Sequence, residues 1–170
     1  MSALDSAMHQ LTEAVRELGL DDGLHEMLVD PMTVQGLGDG GAHVRIVCDA
    51  SMTTYLLTHW TRDRTRGPKL SLEWAVRRLT HDPARFYSLA DRGVVAPGMR
   101  ADLNVIDFDR LGMHAPRLVF DLPAGGKRLL QQSTGYRHTF VNGVEVCRDG
   151  ESTGATPGHL VRGAQTDPRG

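Results

Sequence analysis

Apolar residues recur every three or four positions through residues 1–90, which is the spacing of amphipathic helices. Residues 1–29 carry one such pattern, and Gly19 and Gly23 are expected to interrupt it. Residues 53–60 carry a second pattern and predict another helix.

Capping residues predict two further helices. Ser71 suits the N-cap of a helix over residues 72–80, because its hydroxyl can accept a backbone hydrogen bond in the first turn. Glu73 lies in that turn, where a negative charge complements the helix dipole. Asp82-Pro83 then begins another helix, since proline suits the first helical position.

After Leu89 the pattern changes to that of strands. Residues 101–107 alternate polar and apolar side chains with β-branched residues, which predicts a half-buried strand. Residues 139–146 predict a hairpin with Asn142-Gly143 at its turn, where both central positions need positive φ. The chain is therefore expected to divide near residue 91 into a helical part and a small β part.

Composition and charge resemble those of ordinary soluble proteins. The 170 residues include 24% charged residues and carry a formal net charge of −2, which argues against a nucleic-acid or membrane-surface binder. The chain contains no apolar run of the ~18 residues that a spanning helix needs, and its first residues lack a basic and apolar leader. We therefore expect a cytoplasmic protein.

A glycine-rich run at residues 36–41 (GLGDGG) follows a short expected strand end at residues 32–34. The run formally matches G-x-G-x-x-G, the dinucleotide-binding fingerprint. The residues before it include a proline, however, and those after it are β-branched and do not open a helix. Both features disfavour a dinucleotide site.

Asp39 is a carboxylate framed by glycines, which leave room for a substrate and let the backbone aim the side chain. Such a carboxylate can take a proton from a metal-bound water, but Asp-Gly is also common turn chemistry. His43 lies four residues further on and is either a pocket residue or a structural histidine. Local sequence assembles no metal site, because the eight histidines are scattered singly: His9, His25, His43, His59, His81, His114, His138 and His159.

Four stretches resemble the metal-dependent amidohydrolases. Residues 80–84 (THDPA) and 89–107 (LADRGVVAPGMRADLNVID) look like their carboxy-terminal signature, where a helix packs under the barrel and the chain enters a β-sandwich. Residues 38–43 (GDGGAH) are similar to the end of the last barrel strand in the N-acyl-D-amino-acid deacylase (D-aminoacylase) group. Residues 140–143 (FVNG) resemble the closing hairpin of that group.

The resemblance implies that Asp39 is the catalytic carboxylate, which activates a metal-bound water and protonates the departing amine. It also implies that Gly40 and His43 bind substrate. The implied cofactor is zinc, with ligands mostly outside this chain and no metal ligand identified within it.

The resemblance also implies an α/β fold. A complete eight-stranded barrel takes about 250 residues, whereas about 90 precede the β part here. We therefore expect a C-terminal fragment of an amidohydrolase TIM-like barrel, with the last strand and helices, plus a small β-sandwich region. The expected domains are a partial barrel over residues 1–90, a β-sandwich-type region over 91–163 and a flexible tail over 164–170.

The implied function is hydrolysis of the C–N bond of linear amides, as in N-acyl amino acid deacylases, with the isolated chain incomplete and inactive. The alternative is a non-catalytic remnant or interaction module derived from an amidohydrolase. The expected ligand is an N-acyl amino acid or related amide, with no nucleic acid and no membrane. We also expect self-association, or a partner supplying the rest of the barrel, because helices cut from a barrel expose apolar stripes: Leu56, Leu57, Trp60, Trp74 and Val76.

Overall fold

The computed structural model describes residues 20–35 and 51–170, which belong to two separate compact units, Met1–Gln35 and Gly36–Gly170. In the first unit, helix α1 spans Leu20–Val29. Gly23 lies inside α1, so the expected interruption there is wrong. A single interior glycine costs a helix only about 1 kcal/mol, which its other residues offset.

The residues that follow α1 form a turn. The Asp30 carboxylate accepts a hydrogen bond from the Met32 backbone N–H at 2.7 Å, and Pro31 cannot donate a backbone hydrogen bond. Between Asp30 and Gln35 the structure assigns no strand, so the strand end expected at residues 32–34 is not found. Gly19 and the glycine-rich run lie outside the described residues.

In the second unit, which the structure describes from Ser51 onward, helix α2 spans Met52–Tyr55 and continues as a π-helix over Leu56–Asp63. The Thr58 hydroxyl donates to the carbonyl of Thr54 at 3.0 Å, and the Thr61 hydroxyl donates to that of Leu57. Threonine hydroxyls that bond to carbonyls four residues back perturb the regular helical ladder. The helix predicted over residues 53–60 is confirmed and extends to Asp63.

Helix α3 (Leu72–Leu79) confirms the helix predicted after Ser71. Helix α4 (His81–Phe86) confirms the next predicted helix, but it begins at His81 and not at Asp82-Pro83. The Ser71 hydroxyl accepts a hydrogen bond from the Trp74 backbone N–H at 3.1 Å. The buried residues Ala75 and Ala84 are small enough to let neighbouring elements approach closely. The apolar core of the described residues comprises Leu56, Leu57, Trp60, Leu70, Ala75, Ala84 and Leu111.

The composition of this core contradicts the reason for expecting self-association, which was that the apolar side chains of the helices would be exposed. Leu56, Leu57 and Trp60 are 5–6% exposed, so the chain itself covers three of the five side chains that we expected to be uncovered. Of the other two, Trp74 is half-buried and Val76, at 43%, is exposed.

A helix with the length and apolar character of a membrane span is absent from residues 20–35 and 51–170.

Eight short strands follow the helices, and all of their pairings are antiparallel. Four of them form a sheet in the order β1-β6-β7-β8, while β2 pairs with β5 and β3 pairs with β4. The strands are β1 (Leu103–Ile106), β2 (Gly112–Met113), β3 (Arg117–Leu122), β4 (Gly126–Leu130), β5 (Ser133–Thr134), β6 (Tyr136–Val141), β7 (Val144–Arg148) and β8 (Glu151–Ser152).

The strand predicted over residues 101–107 is present as β1, and the predicted hairpin is present as β6–β7. Asn142 and Gly143 have φ of 51° and 78°, as the hairpin turn requires. The structure thus shows helices and antiparallel sheets. The barrel and the β-sandwich packing stay predictions.

The predicted domain boundaries also stay predictions. Within the expected tail over residues 164–170, Gln165 forms a parallel bridge with Leu89. The Gln165 backbone N–H donates to the Ser88 carbonyl at 2.8 Å, and the Ala90 N–H donates to the Gln165 carbonyl at 3.2 Å.

Acid is expected to weaken the four-stranded sheet through Glu145. Hydrogen bonds from Arg148 and then His138 lower the pKa of Glu145 from 4.5 to about 2. A carboxyl whose pKa is lowered by folding stabilises the fold above its unfolded pKa, and that contribution is lost as the pH falls. The free energy of unfolding should therefore decrease as the pH falls from 4.5, the pKa of the unfolded state, to about 2, the pKa of the folded state.

Urea unfolding at several pH values across this window measures the effect. The Glu145→Gln variant cannot ionise at this position, so its stability should depend less on pH than that of the parent chain. Equal pH dependence in both proteins would show that Glu145 contributes nothing to acid sensitivity.

Candidate functional site

The three residues predicted to form the site, Asp39, Gly40 and His43, lie outside the described residues. The structure therefore does not test their placement or whether they come together. It does describe the segment that follows them from Ser51 onward, together with the contacts that fix this segment against the β part.

Two side-chain hydrogen bonds hold the start of α2 against the strands. The Ser51 hydroxyl donates to the Gln131 side-chain oxygen. The hydroxyls of Thr54 and Tyr136 are hydrogen bonded at 2.7 Å, and Thr54 is buried. These bonds join residues about 80 positions apart in the sequence. The described segment that begins at Ser51 is thus anchored at its first residues.

Arg62 anchors the other end of the π-helix. Its guanidinium donates to the carbonyls of Phe108 at 2.5 Å and Leu111 at 2.8 Å, and it lies 5.4 Å from the Phe108 ring centre. It also pairs with Asp63, Nε to Oδ1 at 2.6 Å. Such hydrogen bonds from a charged donor to carbonyls are stronger than neutral ones.

Arg64 is 2% exposed, and its guanidinium lies 4.4 Å from the centre of the Trp60 ring. The composition of the basic cluster Arg62, Arg64, Arg66 and Lys69 predicts a solvated loop face. For Arg64 that prediction is wrong, because its side chain is buried. The cation–π contact with Trp60 gives the buried charge a favourable partner. The sequence signal for this contact is a tryptophan followed four residues later by an arginine, but the same spacing is common on solvated helices.

Replacing Arg62 by glutamine is expected to lower the free energy of unfolding by about 2 kcal/mol, because two partly buried carbonyls would lose a charged donor. Arg110→Gln is the matched control. Arg110 has 78% of its side chain exposed and lies 3.8 Å from Asp107, so its loss should cost at most about 1 kcal/mol. Denaturant unfolding of both variants measures the difference, and equal losses would contradict the anchoring role of Arg62.

Three aromatic rings contact one another along the helix over residues 52–63, from the exposed Tyr55 to the buried Trp60. The rings of Tyr55 and His59 are parallel, with centres 4.7 Å apart, and His59 meets the edge of Trp60 at 5.4 Å. Trp60 is 6% exposed. Trp60 is therefore part of the apolar core and not an exposed stacking surface.

Two carboxylates in the helical part are held by arginines. Hydrogen bonds from Arg92, opposed by burial and supported by Arg100, keep the pKa of Asp91 below its usual value. Burial raises the pKa of Asp82, but hydrogen bonds from Arg77 and His81 outweigh it, so that the pKa is lowered. A carboxylate with a lowered pKa is a weak base, which disfavours both residues as proton acceptors in catalysis.

Residues 20–35 and 51–170 contain no group of three histidine, cysteine, aspartate or glutamate side chains that could hold a metal ion. The donor set in this part of the chain therefore does not fit a metal centre. We assign no chemical step to a metal on the described residues.

Comparison with known proteins defines the family. The model of the amidohydrolase family matches residues 5–147, so the chain belongs to the amidohydrolase family. Together with the identity to an N-acyl-D-glutamate deacylase, this match confirms the resemblance to D-aminoacylase-like amidohydrolases that the sequence motifs indicated.

An N-acyl-D-glutamate deacylase of Alcaligenes xylosoxydans xylosoxydans is 37% identical over 93 residues, which are 55% of this chain and 17% of that enzyme. An uncharacterized protein of Mycobacterium tuberculosis H37Rv is 35% identical over 85 residues, 49% of this chain and 14% of that protein. A crystal structure of D-aminoacylase shares 33% identity with a TM-score of 0.45, covering 61% of this chain and 19% of that one. The chain thus spans less than a fifth of the length of these relatives.

Proposed function

We propose that the chain is part of a hydrolase that cleaves the linear amide bond of N-acyl amino acids. The observation that carries the proposal is the family match over residues 5–147. The identity to a deacylase of N-acyl-D-glutamate supports the substrate class. Because the chain spans a small part of that enzyme, we propose the activity for the chain together with the remainder of such an enzyme, and no activity for the chain alone.

In this proposal Asp39 accepts a proton from the attacking water as its oxygen bonds to the amide carbon. Asp39 then returns that proton to the nitrogen as the C–N bond breaks, which releases the amine and the carboxylic acid. Gly40 leaves space for the substrate, and His43 lines the pocket. We propose zinc as the cofactor, with ligands mostly outside this chain.

A loop chimera tests the proposal. Residues 36–50 of this chain replace the corresponding segment of the N-acyl-D-glutamate deacylase, and a larger chimera exchanges the whole matching segment of 93 residues. Release of free glutamate from N-acetyl-D-glutamate is then measured, after thermal melts establish that both chimeras fold. We expect hydrolysis by the loop chimera.

The alternative, a non-catalytic remnant or interaction module, predicts that both chimeras fold and that neither hydrolyses the substrate. Self-association of the chain, or a partner that supplies the rest of the barrel, stays a proposal. Sedimentation velocity of the purified chain measures it. A cytoplasmic location is likewise a proposal.

A further inference from the structure

A pocket of about 160 Å³ lies between Val141-Asn142 at the hairpin turn, residues 157–162 with Gln165, and the three charged residues Arg92, Arg100 and Asp102. Pockets for drug-sized molecules are usually about 300–1,000 Å³. The space therefore suits a small ion with a few waters, not a nucleotide or an extended chain.

One wall of the pocket is a fixed pair of guanidinium groups. The Asp91 carboxylate accepts hydrogen bonds from Arg92, Nε at 2.9 Å and Nη2 at 3.1 Å, and from Arg100 Nε at 3.1 Å. Arg92 Nη1 also donates to Asp102 at 3.4 Å. These bonds orient both arginines before any ligand arrives, so that binding costs little side-chain entropy at this wall.

Arg100 has a further N–H group that can donate a hydrogen bond to a ligand at that wall. Its Nη1 donates to the Asn142 side-chain oxygen at 3.4 Å. Within the described part of the chain, no hydrogen bond is made by its Nη2. A guanidinium group held at one edge and open at another suits an oxygen anion, because its donors form a planar fork.

The opposite wall is residues 157–165, and backbone hydrogen bonds hold its last residue, Gln165, in place. Gln165 is tied to the backbone of Ser88 and Ala90 as described above, and its side-chain amide donates to the carbonyls of Arg162 at 3.4 Å and Gly163 at 3.2 Å. This segment presents Arg162 and His159 to the pocket. Neither side chain forms an ion pair with any residue that the structure describes.

The charges around the pocket leave an excess of positive charge. Asp91 and Asp102 balance Arg92 and Arg100, and Arg162 adds one further positive charge even when His159 is neutral. We propose that this pocket binds a small oxyanion of the phosphate or carboxylate class, held by Arg162, His159 and the open edge of Arg100.

The test is a titration of the full chain with sodium phosphate and, in a second arm, with sodium acetate, followed by NMR. Ionic strength is kept constant with sodium chloride, because exposed charge interactions are screened by salt. We expect saturable shifts at residues 157–165 and Asn142. The two arms distinguish a phosphate from a carboxylate ligand, and saturable binding of either anion supports the proposal.

Arg162→Gln should weaken the affinity about fivefold, which is the size expected for an exposed charge contact. Arg117→Gln is the matched control, since Arg117 is exposed, lies outside the pocket and carries the same charge. Its affinity should be unchanged. Shifts that grow linearly with both anions, or equal weakening in the two variants, would overturn the proposal.

Discussion

Asp39→Asn in the loop chimera is expected to lower the turnover of N-acetyl-D-glutamate by about 10²- to 10⁴-fold, the usual contribution of a general acid–base group. The amide keeps the shape of the carboxylate and still forms hydrogen bonds, but it cannot accept a proton from water. Steady-state kinetics measure the loss, and a thermal melt should show that folding is nearly unchanged.

Asp49→Asn is the matched control within the same exchanged segment, because Asp49 is not framed by glycines. It should leave turnover near that of the parent chimera. His43→Asn should raise KM more than it lowers kcat, as expected for a residue that only lines the pocket. Near-normal turnover by Asp39→Asn would remove the central residue of the proposed mechanism.

Gly135→Ala is expected to cost about 3 kcal/mol or more of folding free energy. Gly135 has a φ of 92°, where an alanine pays about 1–2 kcal/mol. Its added Cβ would lie 2.6 Å from the Leu111 Cα and 2.9 Å from the Asp107 carbonyl oxygen. Leu111 is 1% exposed, so the neighbouring backbone has little room to move, and overpacking adds about 1–3 kcal/mol.

Gly150→Ala isolates the contribution of the close approach. Gly150 has a similar φ of 87°, but an added Cβ there would meet no atom within 4 Å. The Gly150→Ala variant should therefore lose only the free energy that corresponds to the backbone strain. Urea unfolding of the two variants gives both free energies, and equal losses would show that the contact with Leu111 is unimportant.

Local chemistry explains which elements could be predicted from the sequence. Ser71 caps α3 because the cap depends only on residues within one turn. Asn142-Gly143 forms its hairpin because the turn conformation depends on those two residues. The π-helical geometry of Leu56–Asp63 was not predicted, since a tryptophan and leucines at helical spacing do not distinguish it from an α-helix.

The sequence pattern does not predict the β3–β4 hairpin. Arg117–Leu122 contains three consecutive apolar residues, Leu118, Val119 and Phe120, and so lacks the alternation of a half-buried strand, and Pro123–Gly125 forms the connection without an Asn-Gly pair. The role of Arg62 was also hidden, since its partners Phe108 and Leu111 lie more than 45 positions away. Contacts at that distance depend on the fold as a whole.

For the candidate site, sequence supplied what the structure does not describe. The glycines around Asp39 and the similarity of residues 38–43 to the deacylase group identify the residue that we propose for catalysis. Sequence could not reveal the pocket between Arg100 and Arg162, because it forms only when Gln165 returns to the backbone of Ser88 and Ala90.

The bonds that join Ser51, Thr54 and Arg62 to the β part affect how the second unit folds. Each joins segments separated by roughly fifty to eighty residues, so the intervening chain must close into a large loop before the bond can form. Loop closure of this kind slows folding and makes the acquisition of structure cooperative. Leu111 illustrates this, because its carbonyl binds Arg62 and its backbone lies against Gly135. Helices and strands therefore become ordered together, and a break in the exposed turn around Val95 would leave two pieces still held to each other.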